Sequence, residues 1–246
     1  MVRTKGEVLR KIYAAFLTVA ALFVMGCSVG DDNTPDYRYR LTVEVETPQG
    51  VHSGSSVIEV EQTMGRSAGS GFGAIIMRRV RGEAVAVELP NGSTVFALLR
   101  SDDDVDWASH VVANMAPELG GEAWEESFDN VLLLEAESEL PRQWPAVGGL
   151  EDRSAYPMLV TFADLDDPTS VERVNPDDLA ATFGEGFHLK RITVQLTNDP
   201  VTTGIDERLA WLNDPAVMEN PGWKSMALEV RKLLLGLRTS KLGSER

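Results

Sequence analysis

The sequence predicts a mixed α+β fold, with an antiparallel β-meander in the first half, helices packed on it and an amphipathic helix near the C-terminus. Apolar and polar residues alternate with a period of two through much of residues 37–99, which is typical of strands with one buried face. Later segments begin with Asp or Pro and then place apolar residues at helical spacing. With 43% hydrophobic and 25% charged residues among 246, the chain has the composition of a folded protein.

The clearest strand of the first half runs from Tyr37 to Glu46, where odd-numbered residues are apolar and even-numbered residues are polar. A glycine- and serine-rich stretch over 65–73 predicts a loop, and Pro90-Asn91-Gly92 predicts a hairpin turn. The predicted strands of this half are 37–46, 56–62, 74–80, 83–89 and 94–99. Together they predict a meander of about five strands.

The rest of the chain predicts helices and two further strands. Acidic residues at 102–104 precede apolar residues that share one helical face as far as Met115. The C-terminal helix follows Asn220-Pro221 and is expected to pack on the sheet, with a partner- or membrane-binding helix as the alternative. The remaining predictions are strands over 158–162 and 188–197, short helices over 179–183 and 206–212, a long loop over 138–156, and a short strand as one interpretation of 131–134.

The first 25 residues combine a basic start with a short apolar run. Four basic residues and one acidic residue lie within positions 1–11, and Ile12 to Met25 carry no charge. A membrane-spanning helix needs about 20 apolar residues, whereas this run has 14. A basic start followed by a short apolar run is the pattern of a secretory signal.

The run ends in Val24-Met25-Gly26-Cys27, which resembles a bacterial lipobox, the motif that places a small residue directly before a cysteine. The resemblance implies cleavage between Gly26 and Cys27, a diacylglycerol on Cys27, and an acyl chain such as palmitate on the new amine. Ser28 differs from the aspartate linked to inner-membrane retention, which implies the outer membrane, facing the periplasm, if the cell has two membranes. An incidental cysteine is the alternative, although Cys27 is the only cysteine of the chain.

These features divide the chain into three parts. Residues 1–26 are predicted as a lipoprotein signal peptide, 27–36 as the lipidated cysteine and a flexible tether, and 37–246 as a single α+β domain. Loss of residues 1–26 moves the formal net charge from −15 to −18. Because so acidic a body repels anionic headgroups and nucleic-acid phosphates, the lipid is expected to hold it at the membrane, and no nucleic-acid partner is expected.

Two acidic clusters are the candidate metal ligands. Asp102, Asp104 and Asp106 offer carboxylates at alternate positions, as calcium-binding loops do. The central glycine and terminal glutamate of the complete calcium loop are absent, so the same residues also fit a helix cap, and residues 164–167 also fit a turn. One cysteine and three widely spaced histidines form no metal-ligand motif, so neither a metal nor any other cofactor is predicted.

Five arginines of the first half fall on predicted neighbouring strands: Arg38, Arg40, Arg78, Arg79 and Arg81. One interpretation is a single basic stripe that binds an anionic ligand or a partner. The other, which the sequence favours, is cross-strand pairing with acidic residues of the same strands. Those acidic residues are Glu44, Glu46, Glu59 and Glu61.

The sequence favours a non-catalytic role, with an enzymatic role as the alternative. The run Gly69 to Gly73 has the spacing of neither a hydrolase nucleophile elbow nor a phosphate-binding glycine loop. The first hypothesis is therefore a lipid-anchored bacterial envelope protein that serves as a binding or structural module, with an envelope protein or cell-wall component as partner. The alternative is an envelope glycan hydrolase that uses paired carboxylates from 102–106 or 164–167.

Overall fold

The structure, a computed structural model, describes residues 34–66, 74–124, 126–145, 153–218 and 222–239. The predicted signal peptide, Gly26, Cys27 and residues 28–33 of the tether lie outside these residues. From Thr34 onward the chain forms one compact unit. Pro35 and Asp36, predicted as the end of the tether, are hydrogen-bonded to Gln62 and so belong to this unit.

Two antiparallel sheets form the framework of this unit. The strands among the described residues are β1 Tyr37–Thr47, β2 Gly50–Arg66, β3 Ala74–Arg81, β4 Val85–Glu88, β5 Thr94–Ala97, β6 Ser138–Glu139, β7 Gln143–Trp144, β8 Arg153–Ser154, β9 Leu159–Phe162, β10 Val171–Val174 and β11 His188–Leu196. The first sheet has the order β3-β2-β1-β11-β6, and the second has the order β10-β9-β5-β4. The short strands β7 and β8 pair with each other.

Helices follow the strands along the chain. The α-helices are α1 Trp107–Met115, α2 Ala180–Phe183, α3 Ile205–Arg208, α4 Pro215–Met218, α5 Gly222–Ser225 and α6 Leu228–Leu234. The 3₁₀ helices are Ser127–Leu133, Pro168–Ser170 and Ala210–Asn213. The predicted α+β class, with antiparallel strands first and helices towards the C-terminus, is confirmed.

The main core lies on one face of the first sheet, here called the inner face, which carries Tyr39 and Val43. Both side chains are fully buried, as the period-two pattern of β1 requires. The helix α1 covers this face: the Tyr39 hydroxyl donates to the carbonyl oxygen of Ala108 at 2.8 Å. The opposite face, here called the outer face, carries the charged residues Arg38 and Arg40 of β1.

A second core lies between the second sheet and the C-terminal helices. The Phe96 and Phe162 rings pack edge to face at 5.5 Å, and Trp211 lies 5.8 Å from Phe162. Leu234 and Leu237 are buried in this cluster, and α6 contacts β10. The C-terminal residues therefore pack on a sheet, the first of the two interpretations that the sequence offered. The single predicted helix is wrong, since the extended backbone of Ala227 divides it into α5 and α6, and Leu237 lies beyond α6.

The first-half strands divide between the two sheets and do not form one meander. β1, β2 and β3 are consecutive neighbours as predicted, whereas β4 and β5 belong to the second sheet. The chain leaves the first sheet at Gly82, whose φ is 154°. A Cβ at this position would lie 3.0 Å from Cγ1 of Ile58, so only glycine fits here without strain.

Three local predictions were wrong or incomplete. Residues 131–134, interpreted as a short strand, lie largely within the 3₁₀ helix Ser127–Leu133. The predicted loop over 138–156 contains β6, β7 and β8, and β10 was not predicted at all. Strands of two to four residues are too short to show a period, so tertiary pairing alone defines them.

Candidate functional site

A broad, open cleft of about 1300 Å³ runs around the C-terminal end of β3. Its walls come from β1–β3, the start of α1, residues 200–207 and residues 236–239. Ten of its lining residues are charged, five of them basic and five acidic. The basic residues are Arg38, Arg78, Arg79, Arg81 and Arg238.

On the outer face, the arginines are paired with the glutamates of β2. Arg38 Nε donates to Glu59 Oε1 at 2.9 Å, and Arg81 binds both Glu59 and Glu61. Arg79 lies further away, with Nη1 at 3.9 Å from Glu61 Oε2. Cross-strand pairing of this kind is what β-sheet register produces when opposite charges face each other.

Two residues of the predicted cross-strand pairs, Arg40 and Glu44, pair with residues outside β2 and β3. Arg40 pairs with Asp199, which follows β11. Glu44 pairs with Lys190 and Arg191 of β11, at 2.9 Å and 2.7 Å. Among the described residues Glu46 forms no ion pair. Pairing with the arginines of β1 and β3, which the sequence favours, therefore holds for Glu59 and Glu61. Glu44 pairs instead with basic residues of β11, the strand on the other side of β1.

Arg78 lies on the inner face, opposite the other four arginines. It pairs in register with Gln62, and its Nε donates to Gln62 Oε1 at 3.0 Å. The guanidinium carbon stands 5.5 Å from the centroid of the Phe128 ring, which is a cation–π distance. The single basic stripe is therefore wrong for Arg78, because successive residues of β3 point to opposite faces, so that Arg79 and Arg81 lie on the outer face and Arg78 on the inner face.

The charge of Arg78 has no counter-ion within the described part of the chain. Its side chain is half-buried, and no described carboxylate forms an ion pair with it. Burial lowers the pKa of Arg78, because the charged form loses hydration. A partly desolvated cation without a carboxylate beside it is energetically costly unless a ligand supplies the missing anion.

A second group of polar residues lines the cleft around Glu83. Glu83 Oε2 accepts a hydrogen bond from the backbone amide of Ile205 at 2.8 Å. Burial raises the pKa of Glu83, and the neighbouring charge of Asp206 adds to this increase. Arg238 Nη1 lies 3.9 Å from Asp206 Oδ2 and donates to Asn213 Oδ1 at 2.9 Å.

The three candidate calcium ligands, Asp102, Asp104 and Asp106, make different contacts. Asp102 pairs with Arg173. Asp104 Oδ1 accepts from the amide of Asp106 at 2.8 Å, and Asp104 Oδ2 lies 2.8 Å from His110 Nδ1. Asp106 precedes α1, where its side chain forms no capping hydrogen bond. Within the described ranges, no group of three or more His, Cys, Asp or Glu side chains is arranged to hold a metal ion.

The second acidic cluster forms a turn. Asp164 Oδ1 accepts from the amide of Asp166 at 2.9 Å, and Asp167 Oδ1 accepts from the amide of Thr169 at 2.8 Å. The Thr169 hydroxyl and amide lower the pKa of Asp167, since they stabilise its ionised form. These carboxylates are absent from the lining of the cleft.

The cleft residues that sequence reasoning missed come from distant parts of the chain. Glu83 and Arg238 face each other across an isolated β-bridge, and no local motif links them. The sequence pattern singles out Arg78 only as one of the five arginines of the predicted basic stripe. The alternation of β3 was the signal that could have separated it from Arg79 and Arg81.

Comparison with known proteins adds no family assignment. No protein-family model matches the chain, and no curated protein or solved structure is similar to it at a significant level. None of the helices in the described ranges has the length and apolar character needed to cross a membrane.

Proposed function

We propose that this protein is a lipid-anchored bacterial cell-envelope protein whose folded domain is a non-catalytic binding module. The anchor is supported by the lipobox-like end of the leader and by the lone cysteine at Cys27. In a cell with two membranes, the domain belongs at the outer membrane, facing the periplasm. The binding role is supported by the cleft, with an envelope protein or cell-wall component as the partner.

One observation carries the binding role, namely the guanidinium of Arg78 in the wall of the cleft, with which no carboxylate of the described residues forms an ion pair. Its Nε donates to Gln62 and its guanidinium carbon lies over the Phe128 ring, so the position of the group is held. A guanidinium held in this way binds planar or tetrahedral anions through two hydrogen bonds. The ligand that fits is therefore an anionic group, a phosphate or a carboxylate, carried by a component of the envelope.

The test uses the full chain in detergent and inorganic phosphate as the probe. A ligand at ten times its Kd stabilises the native state by about 1.4 kcal/mol, which raises the melting temperature by about 3–5 °C. This increase should be lost in Arg78→Gln and kept in Arg153→Gln, an exposed arginine outside the cleft. A parallel titration with succinate, a dicarboxylate, shows whether the site binds phosphate or carboxylate groups.

The binding proposal fails if the wild-type protein and the Arg78→Gln variant respond equally to both anions. It also fails if neither anion stabilises the wild-type protein more than chloride of equal ionic strength does.

A glycan hydrolase is the second candidate, and one observation favours it. Glu83 and Asp206 line the same cleft, and burial together with the charge of Asp206 raises the pKa of Glu83. Paired carboxylates divide acid and base roles when their environments separate their pKa values. Release of reducing ends from purified envelope glycan by the wild-type protein, abolished in Glu83→Gln, would support this candidate over a binding module.

A further inference from the structure

β2 and β3 continue beyond the end of β1 as a two-stranded hairpin. Tyr37, the first residue of β1, pairs with Val60, whereas β2 and β3 remain paired as far as Arg66 and Ala74. The projecting part, here called the hairpin arm, comprises residues 61–66 of β2 and residues 74–79 of β3. At about 3.3 Å per residue, it extends about 20 Å past β1.

The chain enters the domain beside the hairpin arm. The amide of Gln62 donates to Asp36 Oδ1 at 2.8 Å, and Gln62 Nε2 donates to the carbonyl oxygen of Pro35 at 3.0 Å. Cys27 and Thr34 are seven positions apart, and a fully extended chain covers at most about 3.6 Å per residue. A lipid on Cys27 thus holds Thr34 within about 25 Å of the bilayer, and Thr34 lies close in sequence to Pro35 and Asp36, which are bound to the base of the arm.

Large apolar side chains are exposed at this end of the domain. On the outer face of the arm, the exposed fraction is 47% for Ile75 and 52% for Met77. Trp124, 51% exposed, packs edge to face with Phe128, whose ring contacts Arg78 of the arm. Apolar residues gathered at one end indicate an interface, and tryptophan is enriched where proteins meet the bilayer surface.

Cations follow these apolar residues along β3. Arg79 occupies the next outward position after Met77, and its side chain is 68% exposed. Two apolar side chains with a cation about 7 Å behind Met77 match the order of acyl chains and phosphate headgroups at a membrane surface. The cations attract anionic lipid, although the body as a whole repels it.

From these observations we infer that the hairpin arm rests on the lipid bilayer, with Ile75, Met77 and Trp124 in the interface and Arg79 at the headgroups. The inference rests on the proposed lipid anchor and extends it. The anchor supplies the binding energy, and the arm sets which end of the domain faces the membrane. The cleft around the end of β3 then lies close to the membrane surface.

The test places a fluorophore on the arm of the full, lipidated chain. An introduced cysteine is the only free thiol once Cys27 carries its lipid, since the chain has no other cysteine. Met77→Cys, labelled with an environment-sensitive dye, is reconstituted into vesicles of phosphatidylethanolamine with about a quarter phosphatidylglycerol. The matched control is Val51→Cys, an equally exposed apolar position at the other end of β2, about 45 Å from Gly65.

The arm label should shift to the blue and be quenched by bilayer-embedded quencher lipids at least twice as strongly as the control label. Equal, water-like emission from both labels on lipidated protein overturns the inference and leaves the anchor intact. A blue shift without lipid quenching also overturns it, because a second copy or another protein then covers the arm. An unmodified Cys27 in the mass spectrum instead overturns the anchor itself, and the inference with it.

Discussion

Glu44 shows how the charge pattern of a single strand becomes a stabilising interaction. Its carboxylate accepts a hydrogen bond from Arg191 at 2.7 Å and forms an ion pair with Lys190 at 2.9 Å. The hydrogen bond from Arg191, and then the contact with Lys190, lowers the pKa of Glu44 from 4.5 to about 2. Because the folded protein prefers the ionised form, this interaction contributes stability at neutral pH.

The resulting pH dependence can be measured. Since the folded-state pKa is depressed, the contribution is fully present above about pH 4.5 and is lost as the pH falls towards about 2. Glu44→Gln should lower the melting temperature at pH 7 by about 1–3 °C and flatten the loss of stability in acid. Thermal unfolding between pH 7 and pH 2 checks this. Glu118→Gln, an exposed residue, should retain the wild-type acid profile, and an unchanged acid profile in Glu44→Gln would contradict the assignment.

At the scale of elements, the two sheets meet most closely where β2 crosses β4. Gly54 lies at this crossing, and a Cβ built on it would stand 2.1 Å from the backbone oxygen of Ala86. Neither backbone can move without separating the sheets, so the crossing requires a residue without a side chain.

Gly54→Ala should therefore destabilise the domain by about 2 kcal/mol or more, as overpacking against fixed backbone does. Gly120→Ala is the matched control, because no atom lies within 4 Å of the Cβ built there. The control should change the free energy of unfolding by no more than about 0.5 kcal/mol. Urea denaturation of both variants measures the difference, and equal midpoints would show that the sheets can separate at no cost.

At the scale of the whole molecule, the net charge bears on the proposed anchor. If residues 1–26 are removed as proposed, the remaining chain carries a formal charge of −18 and is repelled by anionic headgroups, so the proposed membrane attachment depends on the lipid. One acyl chain holds a protein only marginally, whereas two or more on one cysteine hold it almost permanently.

Cys27→Ser should therefore abolish incorporation of labelled palmitate and leave residues 1–26 attached to the chain. Mass spectrometry of protein from its native host measures both outcomes. Ser28→Ala is the control, because it keeps the cysteine and the small residue before it. Palmitate incorporation that persists in Cys27→Ser would show that another residue carries the lipid.

The sequence by itself determined the local features of this protein. Alternation in β1 predicted which residues are buried, because a strand turns every second side chain to the same face whatever it pairs with. Helical spacing predicted α6 and its buried Leu234, because residues three or four positions apart share one face of a helix. The proposed leader and the lipobox-like residues at Cys27 remain a prediction, and it too is local, since a short stretch of chain carries the whole pattern.

The tertiary structure alone decided how these elements are partnered. β4 and β5 belong to the second sheet and not to the first. Glu83 lies beside Arg238 and Asp206, which come from distant parts of the chain. The candidate site followed from this arrangement: Asp102 pairs with Arg173, Asp164 and Asp167 accept hydrogen bonds from backbone amides of their own turn, and Arg78 has no counter-ion among the described residues. Local patterns depend on neighbours in sequence, whereas sheet order and the cleft depend on which distant surfaces bury one another best.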